Sequence, residues 1–234
     1  MHCDCVSVPN ANRLISVIVP VLNEAVRLPH LIEELSTFNF AQIIIVDGGS
    51  SDGSQELLSD LPSPFQAIDC EPGRAQQMNM GAGIAAHDVL LFLHADTQLP
   101  TNAVDEILRA KQWGRFNVRF ASASIAMKVV AVFMNLRSRL TGVATGDQAI
   151  FVERTLFESI GGFPAIPLME DVAISKLLKH QAKPYCSNAQ VTTSARRWQE
   201  QGVAKTVLQM WWYRFAFFFG MSPEKLKQGY RDVR

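Results

Sequence analysis

Short, continuous apolar runs alternate with segments of helical periodicity along the first half of the chain. The runs predict strands at residues 15–19, 42–46, 65–68 and 89–93, with helices at 28–35, from about 54, at 74–86 and at 101–111. Strands that are apolar throughout are buried on both faces, as in a sheet covered by helices. The pattern therefore predicts an α/β domain with a mostly parallel sheet.

The pattern changes after residue 112. Alternating polarity in "WGRFNVRFASAS" predicts an antiparallel strand, and an apolar helix follows that ends near Gly142. A short strand at 148–152 precedes a helix that ends at the pair Gly161–Gly162. Glu170 and Asp171 then begin one more helix.

Composition narrows the functional classes. The 234 residues are 48% hydrophobic, and 22 Lys and Arg balance 22 Asp and Glu, so no general field attracts nucleic acid. The cysteines, Cys3, Cys5, Cys70 and Cys186, have neither a zinc spacing nor a disulfide pattern, which predicts free thiols in a reducing compartment. No leader pattern opens the sequence, and the segment 207–221 is too short and too charged to span a bilayer. We expect a cytoplasmic protein, peripheral at most to the inner face of a membrane.

Acidic groups follow three of the predicted strands. Glu24, Asp47 and Asp96 all come just past a strand end. Ligands of parallel sheets bind at that edge, so the three ends predict a polar ligand together with a cation. A single strand-end aspartate more often only caps a helix or a turn.

Two nucleotide-binding motifs are excluded. The stretch "GAGIAA" at 81–86 fits the dinucleotide fingerprint, but a predicted helix precedes it and a strand follows, the reverse of the required order. Its small residues instead predict close packing of a helix. No P-loop sequence is present.

Six motifs in order resemble the family 2 glycosyltransferases, which have a GT-A fold. They are "VIVPVLNE", "IIIVDGGSSDGS", "GRAQQMNMGA", "LFLHADT", "GDQAIFVERTLFESIGGF" and "MEDVAISKLLK". The likeness runs from Ile15 to about Trp198 and is greatest to a small bacterial subgroup with "LHADT" and "RRW". It implies a nucleotide-diphospho-sugar transferase fold, with a mostly parallel Rossmann-like sheet flanked by helices. It also implies an N-terminal tail at 1–13, a catalytic domain at 14–200 and an aromatic-rich helical appendage at 201–234.

The resemblance assigns a metal to Asp96. Such enzymes move a sugar from a nucleoside diphosphate to an acceptor hydroxyl, and the departing diphosphate needs a cation such as Mn²⁺ or Mg²⁺. Asp96 matches the last acid of the family's D-x-D motif, whereas His94 stands in the place of its first acid. His94 is thus a second metal ligand, a hydrogen-bonding partner of the donor, or a structural residue.

Further residues match the family's donor site. Asp47 corresponds to the acid that binds the base, although Gly48 replaces a second acid common there. Pro20 and Glu24 match the first nucleotide loop, and Arg74 matches a basic residue near the phosphates. Arg197 and Trp198, with Arg196, resemble the segment that closes over the diphosphate in processive relatives. The leading Gln or Arg of that segment has no match here, so processive transfer is not supported.

Glu170 and Asp171 match the acidic pair that supplies the catalytic base. We assign the base to Asp171, with Glu170 in support or on the acceptor, and Asp147 to acceptor binding. On chemistry alone, both acids could simply favour the start of a helix.

These assignments predict an inverting, metal-dependent glycosyltransferase with a UDP-sugar donor. One alternative is a nucleotidyltransferase, but the Gly-rich, basic phosphate loop of such enzymes is missing from "VPVLNEAVRLP". A second alternative is a non-catalytic protein that binds a nucleotide or a sugar. The aromatic segment "MWWYRFAFFFG" is a core helix, a membrane contact serving a lipid or other hydrophobic acceptor, or a homodimer interface.

Overall fold

The computed structural model describes residues 13–122 and 124–230, together with all of their side chains except that of Arg197. The expected tail at 1–13, with Cys3 and Cys5, lies outside these residues apart from Arg13. Cys70 and Cys186 are half-buried free thiols.

Strands and helices alternate through the first half of the chain, as predicted. The strands are β1 Ile15–Val21, β2 Gln42–Asp47, β3 Phe65–Asp69, β4 Val89–Phe92, β5 Thr97–Gln98, β6 Trp113–Phe120, β7 Ile150–Glu153 and β8 Tyr185–Thr193. The helices are α1 Leu28–Ser36, α2 Ser54–Leu58, α3 Arg74–Ile84, α4 Ala103–Arg109, α5 Ile125–Thr141, α6 Arg154–Ser159, α7 Glu170–Gln181, α8 Arg196–Gln201, α9 Val203–Phe218 and α10 Pro223–Gly229.

One eight-stranded sheet has the order β3-β2-β1-β4-β7-β6-β8-β5. The first four of these strands are parallel, whereas β7 runs antiparallel to both β4 and β6. The predicted antiparallel strand β6 also pairs in parallel with β8, which the sequence did not predict because "YCSNAQVTT" lacks an apolar run. The α/β fold with helices on the sheet is confirmed.

The end of β1 differs from the prediction. Pro20 does not stop the strand, which continues to Val21 opposite Asp47. The neighbouring β4 ends at Phe92, opposite Ile18, so Pro20 lies beyond that ladder and its missing N–H removes no bond to β4.

Helix α3 packs closely on the sheet, as its small residues predicted. A Cβ added at Gly81 would lie 2.6 Å from Ile18 Cγ2 and 3.0 Å from Val46 Cγ2, so only glycine fits between α3 and strands β1 and β2. The helix precedes β4, which excludes the dinucleotide motif on structural grounds as well.

The C-terminal helices pack on the start of α7. Tyr213 and Ala216 of α9 and Leu226 of α10 form one buried cluster with Leu168, Met169 and Val172. Among the described residues, no helix is both long and apolar enough to cross a membrane.

Candidate active site

A cavity of about 210 Å³ opens at the carboxyl edge of β1 and β4. The heads of α3 and α7 and residues of α8, α9 and α10 complete its wall. Nine of the residues predicted from the sequence line it: Pro20, Glu24, Arg74, His94, Asp96, Asp147, Glu170, Asp171 and Trp198. Arg196 lines it too, while the side chain of Arg197 lies outside the described part of the chain.

Asp47 is the predicted residue that does not line this cavity. It is 1% exposed, and its carboxylate accepts hydrogen bonds from the N–H groups of Gly49 and Ser50 at 3.1 and 2.9 Å. The Ser50 hydroxyl and the Gln55 amide also donate to it. In this structure Asp47 orders the loop after β2, so its part in binding a base stays a prediction.

The glycine beside Asp47 has a structural explanation. A Cβ on Gly48 would lie 2.9 Å from Nε2 of Gln77. That amide is buried and donates to the carbonyls of Val21 and Val46 at 2.7 and 2.8 Å, tying together the ends of β1 and β2. The Gln77 side chain therefore occupies the space that a second acid would need.

Asp96 presents a partly exposed carboxylate to the cavity. Its nearest cation is Arg27, whose Nη1 lies 4.0 Å from Asp96 Oδ2 and 3.2 Å from Glu24 Oε2. Among the described residues, no cluster of three or more His, Cys, Asp or Glu is arranged to hold a metal. The donor set therefore fits an ion that takes one carboxylate here and its other ligands from substrate phosphates, as Mg²⁺ and Mn²⁺ commonly do.

The His94 ring is held by the turn before β7. Its Nδ1 lies 3.6 Å from Oδ1 of Asp147, and the ring packs on Gly146 so closely that a Cβ there would overlap Cε1 and Nε2. This contact ties His94 to a residue assigned to the acceptor. The sequence alone did not predict that pairing, because 52 residues separate the two positions.

Asp171 is oriented by backbone donors. Its Oδ2 accepts the N–H of Gly146 at 3.0 Å, and its Oδ1 accepts that of Val172 at 2.7 Å. Both oxygens keep further lone pairs, and the residue lines the cavity. The head of α7 is thus fixed to the same turn that positions His94.

Glu170 is more deeply placed than Asp171. It is 6% exposed, and its Oε1 lies 3.7 Å from Nη1 of Arg74. Burial raises the pKa of the Glu170 carboxyl, the Asp171 charge adds to that rise, and Arg74 and His94 oppose it. The two carboxyl groups therefore lie in different environments.

Two arginines that the sequence analysis did not assign lie beside these acids. Arg214 of α9 lines the cavity, and burial lowers its pKa against the pull of Asp171 and Asp147. The pKa of Arg137 on α5 is lowered to about 10, first by burial and then by the charge of Arg214, against the opposing effect of Asp171. The Nε and Nη2 atoms of Arg137 are buried and have no hydrogen-bond partner among the described residues.

Other residues of the cavity also escaped the sequence analysis. Arg27, Thr206, Met210 and Tyr230 line it, yet none of them was predicted as a site residue. Trp198, in contrast, was predicted; it makes an edge contact with Phe120, with ring centroids 5.5 Å apart.

Parts of the chain are similar in sequence to known glycosyl transferases. The family described as "Glycosyl transferase family 2" matches residues 16–127. An undecaprenyl-phosphate 4-deoxy-4-formamido-L-arabinose transferase of Yersinia pestis (strain Pestoides F) is 30% identical over 149 residues, which cover 57% of this chain and 46% of the relative. The protein of the same name from Aeromonas hydrophila is 30% identical over 114 residues, 44% of this chain and 35% of the relative.

Over residues 16–127, just under half of its length, the chain is similar to glycosyl transferase family 2. It spans less than half the length of these curated relatives. The likeness to a subgroup with "LHADT" stays a prediction.

Solved structures show the fold of this chain. The mannosyltransferase PcManGT from Pyrobaculum calidifontis, in complex with GDP-Man and Mn²⁺, superposes with a TM-score of 0.60 at 18% identity, covering 79% of this chain and 57% of that one. S. aureus TarS 1–349 in complex with UDP-GlcNAc has a TM-score of 0.61 at 14% identity, with coverages of 77% and 58%. The fold is GT-A, as the resemblance implied.

Proposed function

We propose that this protein is an inverting glycosyltransferase that moves a sugar from a nucleoside-diphosphate donor to an acceptor hydroxyl. The observation that carries the proposal is the single cavity shared by Asp96 and the Glu170–Asp171 pair. Residues 14–200 form the catalytic domain in this proposal, and the helices of 201–234 complete the cavity wall. A nucleotidyltransferase is not favoured, because the loop after β1 carries neither glycine nor lysine.

The donor is assigned to the side of the cavity formed by the first loops. Solved relatives of the same fold hold GDP-Man with Mn²⁺, or UDP-GlcNAc, and we take a UDP-sugar as the first donor to test. Asp96 would hold a Mn²⁺ or Mg²⁺ ion, which stabilises the charge that develops on the departing diphosphate. Arg27 and Arg74 are placed to pair with phosphate oxygens, since guanidinium groups bind them in a bidentate manner.

Asp171 is the proposed general base. An inverting transfer needs one carboxylate to take the proton of the attacking acceptor oxygen. The backbone N–H groups of Gly146 and Val172 hold this carboxylate in place. Glu170 lies beside it, with its Oε1 3.7 Å from Nη1 of Arg74, and has a supporting role in this proposal.

The acceptor side is assigned to Asp147, Arg214 and Arg137. The curated relatives are named as transferases to undecaprenyl phosphate. An acceptor with an anionic head would meet Arg214 in the cavity and the unpaired N–H groups of Arg137 behind it. We therefore propose a lipid-linked or otherwise hydrophobic acceptor, at the inner face of a membrane, that carries an anionic group near the attacking hydroxyl.

Calorimetric titration with UDP, GDP and dTDP, each with Mn²⁺ and with EDTA, tests the donor assignment. We expect one nucleotide to bind tightly only when metal is present, and we expect this binding to be lost in Asp96→Ala. Nucleotide binding that EDTA leaves unchanged would remove the metal from the mechanism. A protein that binds none of the three would be a non-catalytic member of the fold.

The base is tested separately from the donor. Asp171→Asn should reduce transfer by about 10²-fold or more and leave nucleotide affinity unchanged, because the base acts only on the acceptor proton. Asp105→Asn, on the exposed first turn of α4, is the matched control. Full turnover in Asp171→Asn would show that the base is another group.

A further inference from the structure

Helices α5 and α9 expose one extended apolar face. Twelve large side chains on it are between 48 and 78% exposed: Ile125, Val129, Val132, Phe133, Leu136, Leu140, Leu208, Trp211, Trp212, Phe215, Phe218 and Phe219. Together they expose on the order of 1,500 Å², whereas the largest apolar patch of an ordinary monomer is about 300–600 Å². We call these twelve residues the α5–α9 face.

The two helices form one surface. A groove of about 530 Å³ separates them, lined by Arg137 from α5 and by Leu208, Trp211, Trp212, Arg214 and Phe215 from α9. On α5 the exposed positions recur every three or four residues, and the opposite side of that helix is buried through Met127 and Ala131. On α9, Tyr213 and Ala216 face inward. Each helix is therefore apolar on both of its sides, which the packing of this chain alone does not explain.

The charged residues of the same two helices are all basic. They contain no Asp or Glu. They carry five basic residues, of which Lys128, Arg139 and Lys205 are exposed, whereas Arg137 and Arg214 are only partly exposed and lie beside the site. The whole chain has a formal net charge of zero, so this positive charge is a local concentration. Lys176 of α7 adds a further cation, 5.1 Å from the centre of the Phe217 ring.

We propose that the α5–α9 face docks on the surface of a lipid bilayer that contains anionic headgroups. Trp and Phe are favoured at the boundary between headgroups and acyl chains, and basic residues around an apolar face bind anionic lipid. A symmetric dimer through this face would bring two such basic sets together, so the charge favours a membrane over a second copy. Arg214 lines both the groove and the site cavity, so a docked face places the cavity next to the bilayer. The proposal does not depend on the reaction assigned above.

Co-sedimentation of the whole chain with vesicles tests this proposal. We expect binding to vesicles of phosphatidylcholine with phosphatidylglycerol, and much weaker binding to phosphatidylcholine alone. Two variants should each weaken the affinity by at least about tenfold, since each places two carboxylates in the apolar boundary: Trp211→Glu with Phe215→Glu on α9, and Val132→Glu with Phe133→Glu on α5. Leu57→Glu, at a 42% exposed apolar position on α2, is the matched control and should bind like the unmodified protein.

Charge and folding are checked in parallel. Lys205→Gln should weaken binding to the anionic vesicles by roughly fivefold and have little effect on neutral ones. Circular dichroism melts and UDP titration of each variant identify a loss of binding that comes from unfolding, and a folded variant of either helix that still sediments would overturn the proposal. So would failure of the unmodified chain to bind either vesicle, or an equal loss in Leu57→Glu. A concentration-dependent dimer in sedimentation velocity that the α9 variant abolishes, without vesicle binding, would assign the face to a second copy instead.

Discussion

Replacing Gly146 with alanine tests whether the close contact of this glycine with the His94 ring organises the site. The added Cβ would overlap Cε1 and Nε2 of the ring, well inside the 3.0 Å that real Cβ atoms keep from other atoms. To restore an ordinary contact, the ring must move by about 1 Å. That movement separates Nδ1 of His94 from Asp147, which now lie 3.6 Å apart.

The expected cost of Gly146→Ala is about 1–3 kcal/mol, as for other insertions into a packed site. For a chain of this length, each kcal/mol lowers the thermal midpoint by roughly 2–4 °C. The double variant His94→Ala with Gly146→Ala should recover most of that loss, because the ring is absent and the new methyl group then fits. Thermal unfolding of the two single variants and the double variant gives the coupling free energy directly.

Nucleotide titration with Mn²⁺ gives the functional half of the test. If His94 contributes to the donor site, Gly146→Ala should weaken metal-dependent binding while its overall fold is retained. Purely additive destabilisation in the double variant, or a Gly146→Ala protein as stable as the unmodified one, would refute the steric argument.

The other predictions concern stability. Gly81→Ala should destabilise by about 1–3 kcal/mol through its contacts with β1 and β2, whereas Gly83→Ala in the same helix has nothing within 4 Å and should stabilise by about 0.5–1 kcal/mol; urea unfolding of both measures the difference. The pKa of Glu170 is raised above its ordinary value of 4.5 in the folded protein. The stability that this carboxyl contributes is therefore present below pH 4.5 and is lost as the pH rises through the native pKa. Glu170→Gln should remove this loss and be more stable than the unmodified protein at pH 7, as thermal melts at a series of pH values would measure. Arg137→Met should raise the free energy of unfolding by about 1–3 kcal/mol, because it removes buried N–H groups that have no partner among the described residues. It should also lower the affinity for an acceptor with an anionic head. Equal stability of the two proteins in chemical unfolding would contradict the first expectation.

The strands of the first half could be predicted because apolar residues dominate their sequences. Residues 42–46 are predicted as a strand by composition alone, and the structure adds only Asp47. In β8, by contrast, polar residues dominate, and the strand exists because it pairs with β6 on one side and with β5 on the other. Local sequence cannot report a partner that lies 70 residues away.

The acidic residues of the site could be predicted for a similar reason. Glu170 and Asp171 stand together at a helix start, and Asp96 follows a buried strand, so local context places all three at the sheet edge. The role of Arg214 in the site could not be predicted. The surrounding segment resembles an apolar helix, and the position of the guanidinium depends on how α9 packs on α7. Arg27 was hidden in the same way, since its contact with Asp96 joins two separate loops.

Gly48 and Gln77 restrict the order in which this sequence can change during evolution. The amide of Gln77 fills the space beside Gly48 and closes the gap between the ends of two strands. An acid cannot enter at position 48 before a smaller residue replaces Gln77, and the smaller residue alone would leave two carbonyls without their donor. Each single step is thus selected against, although the pair together can be tolerated. Among homologous sequences, the two positions should therefore covary, with glycine at 48 wherever the long amide is kept at 77.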